Sequence, residues 1–99
     1  ALVCRAMRSL VSGLYTMRDE TLYLLLHHLF QTEGIFLEPS ALAGFPGVLH
    51  VECGGFGPHP HAAQGTHLVW CTGGSLVPEQ ERQAYLAMGE KCAAEARPY

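Results

Sequence analysis

Apolar residues recur along this chain at spacings that predict helices towards both ends and short extended runs between them. Val3, Met7, Leu10 and Leu14 lie at i, i+4, i+7 and i+11, one face of a helix that Gly13 can end. Leu22, Leu25, Leu26 and Leu29 form a second stripe at i, i+3, i+4 and i+7. Asp19 precedes this stripe as an N-cap, its carboxylate able to accept from the free amides of the first turn. Gly34 follows it and can take the left-handed conformation that stops a helix.

The middle of the chain reads differently. Ile35 to Leu37 is a short apolar run bounded by Gly34 and by Glu38-Pro39, which predicts a buried strand. Pro39 has the fixed φ of a first helical turn, so Ser40 to Ala43 predicts a short helix that Gly44-Phe45-Pro46-Gly47 ends. Val48 to Cys53 is expected as a strand. Gly54 to Gly65, with four glycines, two prolines and two histidines, is expected as a loop. His67 to Cys71 reads as a compact buried strand running into Thr72-Gly73-Gly74-Ser75. Pro78 then opens a last helix, with Glu79 and Glu81 at the positive end of its dipole and Tyr85, Met88 and Cys92 on its inner face. The tail from Ala93 to Tyr99 is expected to fray. The order of elements predicts an α/β fold, its helices packed on a short parallel sheet.

Composition changes this picture in one respect. With glycine counted and tyrosine left out, 55 of the 99 residues are apolar, and only 15% are charged. Globular domains usually hold about 45–50% apolar and about 25% charged residues. A small domain has much surface for its volume and should be the more polar for it. The excess predicts apolar faces that pack against something outside these 99 residues.

The net charge of −3 and a pI near 6.0 provide no basic footprint for nucleic acid or an anionic membrane. Leu22 to Phe30 is far short of the ~20 apolar residues of a membrane span and contains His27 and His28. Ala1 to Leu10 carries Arg5 and Arg8 and is no signal peptide. Cys4, Cys53, Cys71 and Cys92 are widely spaced, without a Cys-x-x-Cys pair, and read as reduced thiols of a cytoplasmic protein.

Candidate chemistry is sparse. Thr72-Gly73-Gly74 ends a predicted strand with a hydroxyl side chain and two residues that let backbone approach a flat ligand. By spacing alone its plainer reading is a tight turn between strand and helix. Glu38 ends another apolar run, where a buried carboxylate needs a partner or a role. Its plainer reading is an acid at a helix start.

No metal site is expected. His59-Pro60-His61, with His50 and Cys53 upstream, lacks the third and fourth ligands at zinc spacing. His27 and His28 point about 100° apart on a helix, and His67 reads as a hydrogen-bonded core histidine. Lys91, the one lysine in the sequence, lies in a polar, Ala-rich helix end with no apolar pocket to activate it.

Taken together, three segments resemble a known family. Glu33-Gly34-Ile35-Phe36-Leu37-Glu38-Pro39-Ser40-Ala41-Leu42-Ala43-Gly44 and Thr66-His67-Leu68-Val69-Trp70-Cys71-Thr72-Gly73-Gly74-Ser75-Leu76-Val77-Pro78-Glu79 are similar to the end of bacterial D-serine dehydratases. Gly13-Leu14-Tyr15-Thr16-Met17-Arg18-Asp19-Glu20-Thr21 fits the same family just upstream. The likeness is collinear from Ala1 to about Leu86 and is far more specific than either short motif.

The resemblance implies the C-terminal segment of a fold-type-II, tryptophan synthase β-like pyridoxal-phosphate lyase that converts D-serine to pyruvate and ammonia. It places Thr72 at the hydroxyl that meets the cofactor's pyridine nitrogen, Gly73 beside it, and Glu38 near the ring. The Schiff-base lysine and the phosphate loop are implied upstream, in an N-terminal part of the same enzyme. No catalytic residue is therefore expected among these 99, and the segment alone is expected to be inactive.

Cys71 and Ser75 depart from the family's usual Ala and Gly, and Gly54 to Gly65 is unlike the usual loop, so preference for D-serine over D-threonine stays open. The competing reading is a non-enzymatic α/β subunit that keeps the segment as a binding module.

Overall fold

A computed structural model of the chain describes residues 1–11, 13–52 and 65–95. Four α-helices are present among them: α1 (Leu2–Met7), α2 (Asp19–Glu33), α3 (Phe45–Glu52) and α4 (Glu79–Ala94). A single 3-10 turn, Pro39–Leu42, stands between α2 and α3.

The α2 helix follows its sequence signals. It stops where Gly34 takes φ 67°, with the Gly34 amide donating to the Phe30 carbonyl at 3.0 Å. Leu26 is fully buried, and Leu22, Leu25 and Leu29 pack half-buried against the same core. Leu24 is buried as well, about 200° around the helix from Leu26, so α2 is covered on two sides. Asp19 is the first helical residue and Arg18 is the cap, so the expected Asp19 cap is displaced by one position. Asp19 and Glu20 still lie in the first turn, where the helix dipole favours negative charge.

The core lies between α2, the 3-10 turn and α4. Leu26, Leu37, Ala41 and Leu42 form its buried centre, flanked by Phe36, Phe45, Tyr85 and Leu86. Helix α4 crosses α2 closely because Gly89 is buried at the contact. Tyr85, Gly89 and Cys92 form the inner line of α4. Met88, expected there, is 43% exposed because it falls about 60° off the line set by Tyr85. The Arg82 guanidinium lies 4.5 Å from the centre of the Phe36 ring, tying α4 to the segment before the 3-10 turn.

The expectation of an α/β fold with a parallel sheet is corrected. Among the described residues there is no strand. Residues 35–38 and 66–74 have no regular secondary structure and no backbone hydrogen bonds pair them, and a strand exists only through its ladder. His67 to Cys71 is also not a buried strand: Leu68 is 87% and Trp70 79% exposed, while His67 and Val69 are half-buried.

Val48 to Glu52, expected as a strand, belongs to α3. Pro46 in the first turn of α3 has the φ of a helix start, and a short apolar run does not by itself distinguish strand from helix. The first stripe also fails to fold as expected. Helix α1 ends at Met7, nothing in it is buried, and Val3, Leu10 and Leu14 are exposed.

Long-range ties fix the 13–18 segment and α3. The Tyr15 hydroxyl donates to the carbonyl oxygen of Ala43, and its ring lies 5.0 Å from the His50 ring. No described helix is long and apolar enough to cross a membrane.

Candidate functional site

Two irregular segments, far apart in sequence, meet at the candidate residues. Gly74 is buried with φ 136°, and a Cβ built on it would stand 2.9 Å from both the Leu37 Cα and the Phe36 carbonyl oxygen. Gly74 therefore lets residues 73–74 rest directly on the backbone of 36–38. The Val77 amide closes the following turn by donating a hydrogen bond to the Gly74 carbonyl oxygen at 3.3 Å.

Gly73 adopts φ 61°, and the space where its Cβ would go is filled by the Glu38 carboxylate. The nearest atom is Glu38 Oε1, with Cδ at 3.1 Å and Cγ at 3.6 Å. Glu38 and Gly73, singled out separately in the sequence, are thus in contact. Thr72 immediately precedes Gly73 and is exposed. Its hydroxyl makes no hydrogen bond to any described residue.

Beside this contact lies a cleft of about 340 Å³ whose walls include Glu38, Ser40, Asp19, Glu81, Tyr23 and Tyr85. Tyr23 and Tyr85 face one another with ring centres 6.1 Å apart. Three carboxylates and, among the described residues, no basic side chain line the cleft, which favours cations or neutral donors there. Ser40, Tyr23 and Tyr85 were not legible as site residues. Tyr85 carried only an inner-face signal, and nothing in the sequence ties Tyr23 to Glu38.

The other candidates do not join this site. Lys91 is exposed in the last turn of α4, where its charge suits the negative end of the helix dipole. His67 is not the hydrogen-bonded core histidine expected: its Nε2 is buried and has no hydrogen-bond partner among the described residues. His27 and His28 lie ring-edge to ring-face at 5.4 Å on α2. His50 is exposed beside Tyr15, and His59, His61 and Cys53 lie outside the described residues. Cys4, Cys71 and Cys92 are free thiols, the last of them buried.

A pyridine ring needs a polar partner for its nitrogen and open space along its edge. An exposed hydroxyl at Thr72, unengaged among the described residues and next to a carboxylate-bearing segment, suits the ring nitrogen and its edge. The glycine pair contributes less than its sequence suggests, because Glu38 and the 36–38 backbone take up the space both glycines leave. The fit is to one edge of such a group, and phosphate-binding features are not part of it.

No protein-family model matches the chain. Individual relatives do. The chain is 53% identical over 96 residues to a probable D-serine dehydratase of Ectopseudomonas mendocina, covering 90% of this chain and 22% of that protein. It is 48% identical over 92 residues to a probable D-serine dehydratase of Histophilus somni and 49% identical over 94 residues to the D-serine dehydratase of Salmonella paratyphi C. Each of these two matches covers 88% of this chain and 21% of the relative. The chain therefore spans about one fifth of the length of the curated relatives it matches.

Proposed function

Because this chain belongs to the D-serine dehydratase family over the segment it spans, we propose that it forms the C-terminal part of the catalytic domain of a pyridoxal-phosphate lyase. The complete enzyme converts D-serine to pyruvate and ammonia in the cytoplasm. The observation that carries this reading is the 53% identity to a relative of that name over 90% of the chain. Thr72, exposed and with its hydroxyl unengaged among the described residues, supports it from the structure.

In this reading Thr72 holds the ring nitrogen of pyridoxal phosphate through its hydroxyl, and Gly73 and Glu38 stand at the same edge. The cofactor, when bound, supplies the electron sink that accepts the pair released as the Cα proton leaves. Thr72 is neutral, so it holds the nitrogen without fixing a full positive charge there. That moderate sink suits elimination, in which the β-hydroxyl leaves after Cα deprotonation.

None of the 99 residues is assigned a proton-transfer role. Lys91 sits on an exposed helix end, and the Schiff-base lysine is assigned to the N-terminal part of the enzyme.

The test uses the complete protein that contains this segment. Purified protein supplied with pyridoxal phosphate should release pyruvate from D-serine, and Thr72→Val should weaken cofactor binding and slow release together. A complete protein that binds the cofactor but leaves D-serine and D-threonine untouched would remove the proposed activity. One that binds no cofactor would favour the non-enzymatic binding module.

A further inference from the structure

We infer that Gly73 is a positioning residue for Glu38: its missing side chain leaves the space in which the Glu38 carboxylate is held, one residue from Thr72. This rests on the reading of Thr72 as the cofactor's ring-nitrogen partner.

The contact is unusual in kind. Glycines that take left-handed φ at the end of an extended segment are ordinarily explained by the turn or by a ligand that needs room. At Gly73 the room is already filled by a side chain of the same protein. Glu38 Oε1 lies closest to the Cβ direction, followed by Cδ at 3.1 Å and Cγ at 3.6 Å. The backbone on both sides is fixed. Gly74 has no room for a side chain, since a Cβ there would stand 2.9 Å from the Leu37 Cα and the Phe36 carbonyl oxygen, and Glu38 is held between buried Leu37 and Pro39, which begins the 3-10 turn.

With its backbone pinned, Glu38 can yield to a methyl group at position 73 only by swinging its carboxylate away. The two residues then act as one device. Gly73 permits the carboxylate to sit at the Thr72 end of the segment, and any side chain there sends it elsewhere. A shorter acid would clear the methyl group and keep its charge at the site; an amide of the same length would not clear it.

Four proteins decide the matter, each made in the complete enzyme: wild type, Gly73→Ala, Gly73→Ala with Glu38→Asp, and Gly73→Ala with Glu38→Gln. Alanine at φ 61° is strained in all three variants, so that effect cancels when Asp and Gln backgrounds are compared. Pyridoxal phosphate is titrated into each and followed by its visible absorption, and thermal unfolding of the cofactor-free proteins is recorded in parallel.

Gly73→Ala should weaken cofactor binding about tenfold and lower the cofactor-free Tm by about 2–4 °C. Adding Glu38→Asp should restore most of both losses, and adding Glu38→Gln should restore neither. If Asp and Gln behave alike while the wild type binds cofactor, the positioning role is wrong and the cofactor reading stands. If Asp rescues the Tm but the wild type binds no cofactor, the contact is real and purely structural, and both the positioning role and the cofactor reading fall.

Discussion

Gly89 on α4 lies directly against the backbone of Tyr23 on α2. A Cβ at position 89 would come within 2.5 Å of the Tyr23 carbonyl oxygen and 3.0 Å of the His27 Cβ. Backbone meets backbone here, so no rotamer change can relieve an added atom. Gly89→Ala should raise intrinsic helix propensity yet destabilise the protein, because the lost α2–α4 packing outweighs the gain of about 1 kcal/mol from propensity. Urea denaturation followed by circular dichroism should give a net loss of about 1–3 kcal/mol. A more stable variant would show that the helices can part without cost.

The core makes a second expectation. Leu26 and Leu42 are fully buried and face each other's cluster from α2 and from the 3-10 turn. Truncation to alanine leaves a cavity that fixed backbones on both sides cannot close. Leu26→Ala and Leu42→Ala should each cost about 2–5 kcal/mol. Leu68→Ala is the control: at 87% exposure it should change stability by less than about 0.5 kcal/mol.

Tyr15 ties the segment before α2 to the turn before α3. Its hydroxyl donates to Ala43, and position 47 is a glycine whose Cβ would collide with the same phenol at 2.8 Å from its oxygen. Tyr15→Phe keeps the ring and removes the donor, leaving the Ala43 carbonyl without it. The expected loss is about 0.5–1.5 kcal/mol, measured by thermal unfolding. Gly47→Ala should disturb the same region without removing the hydroxyl, and the two effects should not add, because both act on one contact.

For the proposed cofactor partner, substitution separates hydrogen bonding from charge. Thr72→Val in the complete enzyme keeps the shape and removes the hydroxyl, which should cost about 1–3 kcal/mol, seen as weaker cofactor affinity and slower pyruvate formation. Thr72→Asp should act differently: a carboxylate would stabilise a protonated ring nitrogen and raise racemisation or transamination relative to elimination. Unchanged affinity and rate in the valine variant would return Thr72 to a turn residue.

The 99-residue chain by itself should not bind pyridoxal phosphate covalently. Lys91 is exposed at the negative end of α4, outside any apolar pocket that could hold a Schiff base. Incubation with the cofactor should leave its visible spectrum as it is in buffer, and Lys91→Ala should change nothing. A stoichiometric new band that depends on Lys91 would contradict this.

Helices α2 and α4 were legible because their signals are local. A stripe at helical spacing, acids in the first turn and a glycine that can turn left-handed all act within a few residues of one another. The expected strands are absent among the described residues, because an apolar run becomes a strand only by finding a ladder partner, and the run itself does not say whether it will. Val48 to Glu52 went to a helix through Pro46 at its start. His67 to Cys71 stayed irregular and unpaired among the described residues, with Leu68 and Trp70 outward.

The sequence by itself carried the likeness to D-serine dehydratases, the two long helices and the three candidate residues, since each is written in contiguous motifs. Only the tertiary structure decided what those residues do to one another. Glu38 and Gly73 are separated along the chain by the 3-10 turn, α3 and the segment leading to Thr72, and no spacing rule joins them. Their contact exists because Gly74 seats one irregular segment on the other, and close packing between distant segments is a property of the folded chain alone.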